Sequence, residues 1–339
     1  MNRWIVGLGG LLIAQIVLAV LLNTGKDPYA AFTPEEKLAA FEPALVDTIH
    51  IQAPDRQVTL KKSEGKWKVP ELDDFPADQQ KVERLLDALA KLKKGWPVAT
   101  TPSAAKRFKV ATDEFERHLT LHQGEKKLAD LYFGTSPGFR KVHARTAGEN
   151  DIVSVPFALF DAEAERDRWI DRKILGLDEK KMTRIELPGI TLERKEGEWQ
   201  LADMKPNQQT VTSEADKLAG KLAGITIESV FDDEAKPEQD EKAKPLKASV
   251  TLEEGKKLDY TFRKLKNGGY LLQRSDWNKR FKVAEWEVRP LQEAKREKLV
   301  EQKPAEPDEP ENSGGSEESE NSTPPETPPE TPPNDTPGK

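Results

Sequence analysis

VTLKKSEGKWKV at residues 58–69 and ITLERKEGEWQL at residues 190–201 are one pattern occurring twice. The two align without a gap at a constant offset of 132 residues and share Thr, Leu, Glu, Gly and Trp. Each runs through alternating β-branched and polar residues, turns at Glu-Gly and returns through a Trp, which is the grammar of a β-hairpin. The match continues outward. DTIHIQ (47–52) precedes the first hairpin as a strand by alternation, and TRIEL (183–187) precedes the second.

A helix is predicted after each hairpin. Over 76–94, Val82, Leu85, Leu86, Leu89 and Leu92 fall on one helical face, and Gly95 is a natural stop. Over 213–223, Ala215, Leu218, Ala219 and Leu222 form the equivalent stripe before Gly224. An aliphatic-Thr-Leu triplet before a Gly turn occurs four times, at Thr59, Thr120, Thr191 and Thr251. In a strand its two aliphatics share a face and Thr takes the other. Four related hairpins follow, two per domain. The fold class is α+β, with two tandem repeats of antiparallel hairpins, each under a covering helix, at 45–175 and 176–300. A helix over 161–175 is expected to join them, offering Trp169, Ile170 and Ile174 as packing groups, and 231–245 reads as a charged, solvated loop.

The flanks differ in kind from this body. Residues 4–22 (WIVGLGGLLIAQIVLAVLL) carry no charge and match the length of a bilayer span. With Arg3 before it, the span is expected as an uncleaved single-pass anchor at 1–25 in the cytoplasmic membrane, the bulk of the chain lying in the periplasm or outside the cell. Gly10, Ala14 and Gln15 are candidates for contact with another transmembrane helix, through close packing and an amide hydrogen bond. The capping box Thr33-Pro34-Glu35-Glu36 predicts a spacer helix to Phe41 within 26–44. Residues 301–339 hold 11 acids, 2 Lys and 10 of the 25 Pro, and read as a disordered tail. The other 300 residues then hold 49 acids against 51 bases, and so balanced a body offers no footprint for nucleic acid.

The chain has no cysteine, which excludes disulfides, thiolate metal sites and thiol nucleophiles. Gly134-Thr135-Ser136-Pro137-Gly138 matches a nucleophile elbow, but no acid separates Ser136 from His143, the only later His. His118 and His122 make H-x-x-x-H on a strand, where four residues separate their Cα atoms by about 13 Å, too far to share one ion. His50, between Ile49 and Ile51, faces solvent by alternation. Asp73, Asp74 and Asp78 sit where a helix begins, which the helix dipole favours without a cation. Trp67 and Trp199 read as core anchors. Tyr270, Trp277, Phe281 and Trp286 read as core or hairpin packing, with a sugar-binding surface as the alternative. No catalytic, cofactor-binding or metal-binding set is assigned, and a non-enzymatic role is expected.

With this order of elements, the chain resembles the bacterial domain of unknown function 4340 family. The resemblance rests on the anchor, the Ile49–Ile51 strand, the TL…EGxW hairpin, Pro76-Ala77-Asp78, Tyr132-Phe133-Gly134 and Asp171-Arg172-Lys173-Ile174-Leu175. It spans residues 45–290 and departs from the family at Phe108-Lys109-Val110, where a Tyr-Gly-Leu turn is usual, and at the charged loop 232–245. It implies an accessory role beside gliding-type ABC transporters, with permease subunits as partners, and carries no catalytic residues. A module binding an envelope glycan or peptidoglycan is the alternative.

Overall fold

In the computed structural model, which describes residues 36–303 and, before them, Gln15 alone, both signature hairpins form. Strands β1 (Thr48–Gln52), β2 (Gln57–Ser63) and β3 (Lys66–Val69) make the first ribbon. Glu64 and Gly65 turn it with φ of 54° and 78°, and Glu196 and Gly197 do the same in the second repeat at 53° and 89°. Positive φ at both central residues is the two-residue turn whose twist matches paired strands.

The first repeat continues through β4 (Phe75–Pro76), helix α1 (Gln79–Ala90), the short helix α2 (Pro102–Arg107), β5 (Arg117–Gln123), β6 (Lys126–Phe133), β7 (Val142–Thr146) and β8 (Val153–Val155). The second runs through β9 (Met182–Leu187), β10 (Ile190–Lys195), β11 (Glu198–Leu201), β12 (Gln208–Thr210), α3 (Thr212–Ala223), β13 (Ser229–Phe231), β14 (Leu246–Leu252), β15 (Lys257–Lys264), β16 (Tyr270–Arg274), β17 (Arg280–Val283), α4 (Glu285–Gln292) and β18 (Val300–Gln302). Two eight-stranded sheets result, ordered β4-β3-β2-β1-β5-β6-β7-β8 and β11-β10-β9-β14-β15-β16-β17-β13.

Seven strands correspond in order, β3-β2-β1-β5-β6-β7-β8 with β11-β10-β9-β14-β15-β16-β17. The copies differ at their edges: β4 extends the first sheet and β13 the second, while β12 pairs with β18 in a separate ribbon. Register shows the duplication residue by residue. His50 stands opposite Thr59 and Thr120, and Glu186 opposite Thr191 and Ser249. Thr120 is therefore the counterpart of Ser249, two residues from the sequence-matched Thr251. An even offset keeps the same face toward the core, and an irregularity at Thr251/Leu252 follows.

One continuous apolar core runs through both repeats and includes Trp67, Trp199, the α1 stripe and the α3 stripe. Asp78 caps α1, its Oδ1 accepting from the Lys81 N–H at 2.9 Å. This helix ends at Ala90 rather than near Gly95 because the chain turns out to pair with the residues entering the body. Leu38 N donates to Leu92 O and Lys94 N to Glu36 O. For the same reason residues 36–41 are not the end of a spacer helix, since their backbone is bridged to 92–94.

The expected helix over 161–175 is also absent. That segment holds only three-residue and four-residue 3-10 turns at Arg166–Arg168 and Leu159–Ala162, followed by an irregular strap with a single bridge at Ile170 and turns over 172–175. Trp169 and Ile170 are both buried, as are Ala162, Ala164 and Leu175. Backbone bonds to both repeats hold the segment instead: Trp169 O accepts from Asp78 N, Asp171 N donates to Pro76 O, and Arg172 O accepts from Ile227 N. The stretch 4–22 lies outside the described residues, Gly10 and Ala14 with it; Gln15 alone is described, as helical and exposed. Among the described residues no helix is long and apolar enough to cross a membrane. β18 carries the folded body through Gln302, and residues 304–339 lie outside the described residues.

Candidate functional site

The place where the repeats meet is built by the strap. Pro76 O accepts from Asp171 N and Trp169 O accepts from Asp78 N, at 2.9 and 2.7 Å, so the strap runs antiparallel to the entry of α1. Trp169 is fully buried and its Nε1 donates to Glu163 O at 2.7 Å. Lys81, on the first turn of α1, places its ammonium 4.8 Å from the centre of the Trp169 ring and donates to Arg168 O. Burial holds Lys81 below the ordinary lysine range, and the guanidiniums of Arg172 and Arg168 push the same way against Glu163.

On its other side the strap is fastened to repeat two. Arg172 O accepts from Ile227 N at 3.0 Å, Ala223 O accepts from Leu177 N, and Asp167 Oδ1 accepts from Val230 N. Burial raises the Asp167 carboxyl above its usual range. Arg274, only 4% exposed, donates to Leu175 O at 2.7 Å and forks onto Asp276 at 2.7 and 3.1 Å. Direct contacts bridge the repeats as well. Phe75 packs on Trp277 and Phe281, with ring centres 5.7 and 6.1 Å away, and Lys279 pairs across the junction with Asp73 and within its own repeat with Asp233. Arg166 meets Asp232 at 2.8 Å. The charged loop after β13 is therefore a clasp as well as a solvated excursion.

Along the strap lies an open groove of about 670 Å³ lined by residues 77–81, 163, 168 and 170–173. Its carboxylates are engaged by the protein. Asp78 caps α1, Asp171 accepts from Lys173 N, and Glu163 pairs with Arg168. Arg172 and Lys173 are exposed at the rim and form no ion pair among the described residues. The groove can hold an anionic group by charge and offers no thiol or activated hydroxyl among its lining residues. Among the described residues there is no cluster of three or more His, Asp or Glu able to hold a metal ion.

The other sequence candidates are dispersed. Ser136 Oγ donates to Gly138 O and Lys141 O, both at 2.7 Å, closing its own loop. The His143 ring lies against Thr135 and stacks on Phe108, with centres 4.1 Å apart. Gly134 is required by a backbone crossing: a Cβ there would meet Phe108 O at 2.0 Å. Neighbouring Lys109 has φ of 54°, a left-handed conformation that a glycine would adopt without strain. His118 Nε2 lies 2.7 Å from Asp130 Oδ1, and the imidazole stacks on Tyr132. His122 instead meets the His50 ring edge-on at 5.5 Å, so H-x-x-x-H is split between two environments.

Asp78 is a cap, while Asp73 and Asp74 occupy left-handed backbone. The aromatic set is largely packing, with Trp277 edge-on to Phe281 at 5.7 Å. Tyr270 and Phe281 are buried, Trp277 is half-buried, and Trp286 is exposed on α4 beneath the Lys221 ammonium. They form no common platform. The clasp residues Asp232, Asp233, Lys279 and Arg274 were not singled out by sequence, because Arg166, Asp73, Lys279 and Leu175, which they meet there, are 46 to 206 residues away.

The sequence profile of the family described as Domain of unknown function (DUF4340) matches residues 67–248, more than half of the chain. The chain belongs to the DUF4340 family. The match opens at Trp67, crosses the strap and the second hairpin, and closes in β14, so the junction of this DUF4340 protein lies wholly inside it except for β16, β17 and the residues between them. No curated protein and no solved structure matches the chain.

Proposed function

We propose that this DUF4340 protein is a non-enzymatic accessory of an ABC-type transport assembly, held in the cytoplasmic membrane by residues 4–22 with its two-repeat body on the outer side. The observation that carries the reading is the junction. A shared core, a strap bonded on both sides and two interrepeat ion pairs make the two sheets one stiff body. Its chemistry-bearing groups are engaged in holding that body, as Ser136, His118 and Asp78 illustrate. Stiffness and a broad surface suit a scaffold. The contact in the membrane is assigned to Gly10, Ala14 and Gln15.

Crosslinking in native membranes followed by mass spectrometry tests this. Permease subunits should be recovered with the wild-type chain and lost with Gln15→Leu. Recovery of abundant bystanders alone contradicts it. A second reading, binding of an anionic envelope polymer, has the cationic rim at Arg172 and Lys173 in its favour. A flat isotherm of the purified chain against cell-wall material retires it.

A further inference from the structure

The body is entered at one edge. Lys37 bridges Lys93, Glu36 pairs with Lys94 through backbone and side chain, and Leu38 N reaches Leu92 O. The loop that follows is therefore directly attached to the point where the chain arrives. That loop exposes Trp96 at 71% and Val98 at 49%, with Pro97 between them. Leu45, 45% exposed, is another large apolar residue open to solvent in the segment that enters the body. Lys37, Lys91 and Lys93 are exposed at this edge, whereas Lys94 is shared by Glu36 and Glu149.

A Trp beside apolar residues and exposed lysines is the composition that partitions to the headgroup layer of a bilayer. An indole joins an apolar body to a polar tip, which suits such an interface, and lysine stems extend along it with their charge at the phosphates. The tether brings this edge within reach. Thirteen residues, 23–35, separate the uncharged stretch from Glu36 and span at most about 45 Å. We propose that loop 95–98 rests on the lipid surface, with Trp96 in the headgroup layer and Lys91 and Lys93 over lipid phosphates. The partner is the bilayer itself. The inference depends on the anchor reading above and adds a second, peripheral point of attachment that fixes which edge of the body faces the membrane.

Because the chain has no cysteine, single reporters are unambiguous. The full-length chain carrying Pro97→Cys, labelled with an environment-sensitive fluorophore, is reconstituted in vesicles of phosphatidylcholine and phosphatidylglycerol. Glu285→Cys, exposed on α4 in the other repeat, serves as the reference. A nitroxide on the lipid chain near the headgroup should quench residue 97 several-fold more than residue 285, and adding Trp96→Ala to the Pro97→Cys chain should reduce that difference. Equal quenching at the two positions, or quenching unaffected by Trp96→Ala, overturns the proposal. Flotation of the same vesicles separates the two readings. A chain that does not float refutes the anchor, while one that floats with residue 97 in water refutes only the loop contact.

Discussion

The outward faces of the two sheets occupy the same positions and carry different chemistry. At the centre of the first, His50 lies 3.1 Å from Thr59 Oγ1 and edge-on to His122. At the matching position of the second, Glu186 accepts from Ser249 at 2.8 Å and Lys257 at 2.7 Å, and Arg184 spans it and Glu193. The inward faces scarcely differ, with Ile49 and Ile51 answered by Ile185 and Leu187. Cores are constrained by packing, where a methylene is felt, whereas solvent-facing positions tolerate substitution at small cost. The two sheets thus share an inward scaffold and differ on their outward faces.

The strongest challenge to this equivalence is to remove the hairpin tryptophans one at a time. Trp67→Ala and Trp199→Ala should each lower stability by about 3–5 kcal/mol in denaturant unfolding. Losses alike to within about 1 kcal/mol sharpen the comparison, and a loss confined to one copy breaks it. Next comes Arg274→Met, which leaves Leu175 O and Asp276 without their donor. A loss of about 2–4 kcal/mol is expected, with faster hydrogen exchange along the strap.

How much of this was readable beforehand differs by element. The duplication, the four Thr triplets on strands, both helices and the burial of Trp67 and Trp199 follow from local periodicity and turn residues, which sequence displays directly. The strap could not be read that way. Residues 161–175 have helix-favouring composition, and their structure is set by Pro76, Asp78 and Ile227, whose backbone groups only tertiary folding brings near. The same holds for the early end of α1, decided by pairing with residues 36–38. At the candidate site, Asp171-Arg172-Lys173 stood out only through the family resemblance, and Lys81 looked like any exposed helix residue until Trp169 was beneath it.

The faces should also respond to acid at different points. The folded pKa of Glu186 is lowered to about 2 from 4.5, chiefly by Lys257, then Ser249 and Arg184. The unfolded chain therefore takes up this proton first, and the stability Glu186 contributes is complete above pH 4.5 and drains away as pH falls toward 2. His50 is lowered from 6.5 by burial and then by His122. Here too the unfolded state binds the proton more readily, so protonating His50 costs the folded state stability as pH drops below 6.5. Unfolding midpoints measured from pH 7.5 down to about 2 should lose the upper limb in His50→Gln and the lower limb in Glu186→Gln. Interchanged limbs would break the assignment.

The smallest expected effect is a matched gain. Glu64 and Glu196 hold positive φ with a side chain ill-suited to it. Asn at either position, which tolerates that conformation, should add a few tenths to about 1 kcal/mol, equally in both copies.

The claim on which these rest is that the strap locks two copies of one sheet into a single stiff unit. Spin labels at Glu125→Cys and Glu254→Cys, in the corresponding turns after β5 and β14, allow the distance between repeats to be measured by pulsed electron spin resonance. One narrow distance, unchanged between detergent and bilayer, is the predicted result. A broad or two-peaked distribution would mean that the repeats hinge, and would contradict it.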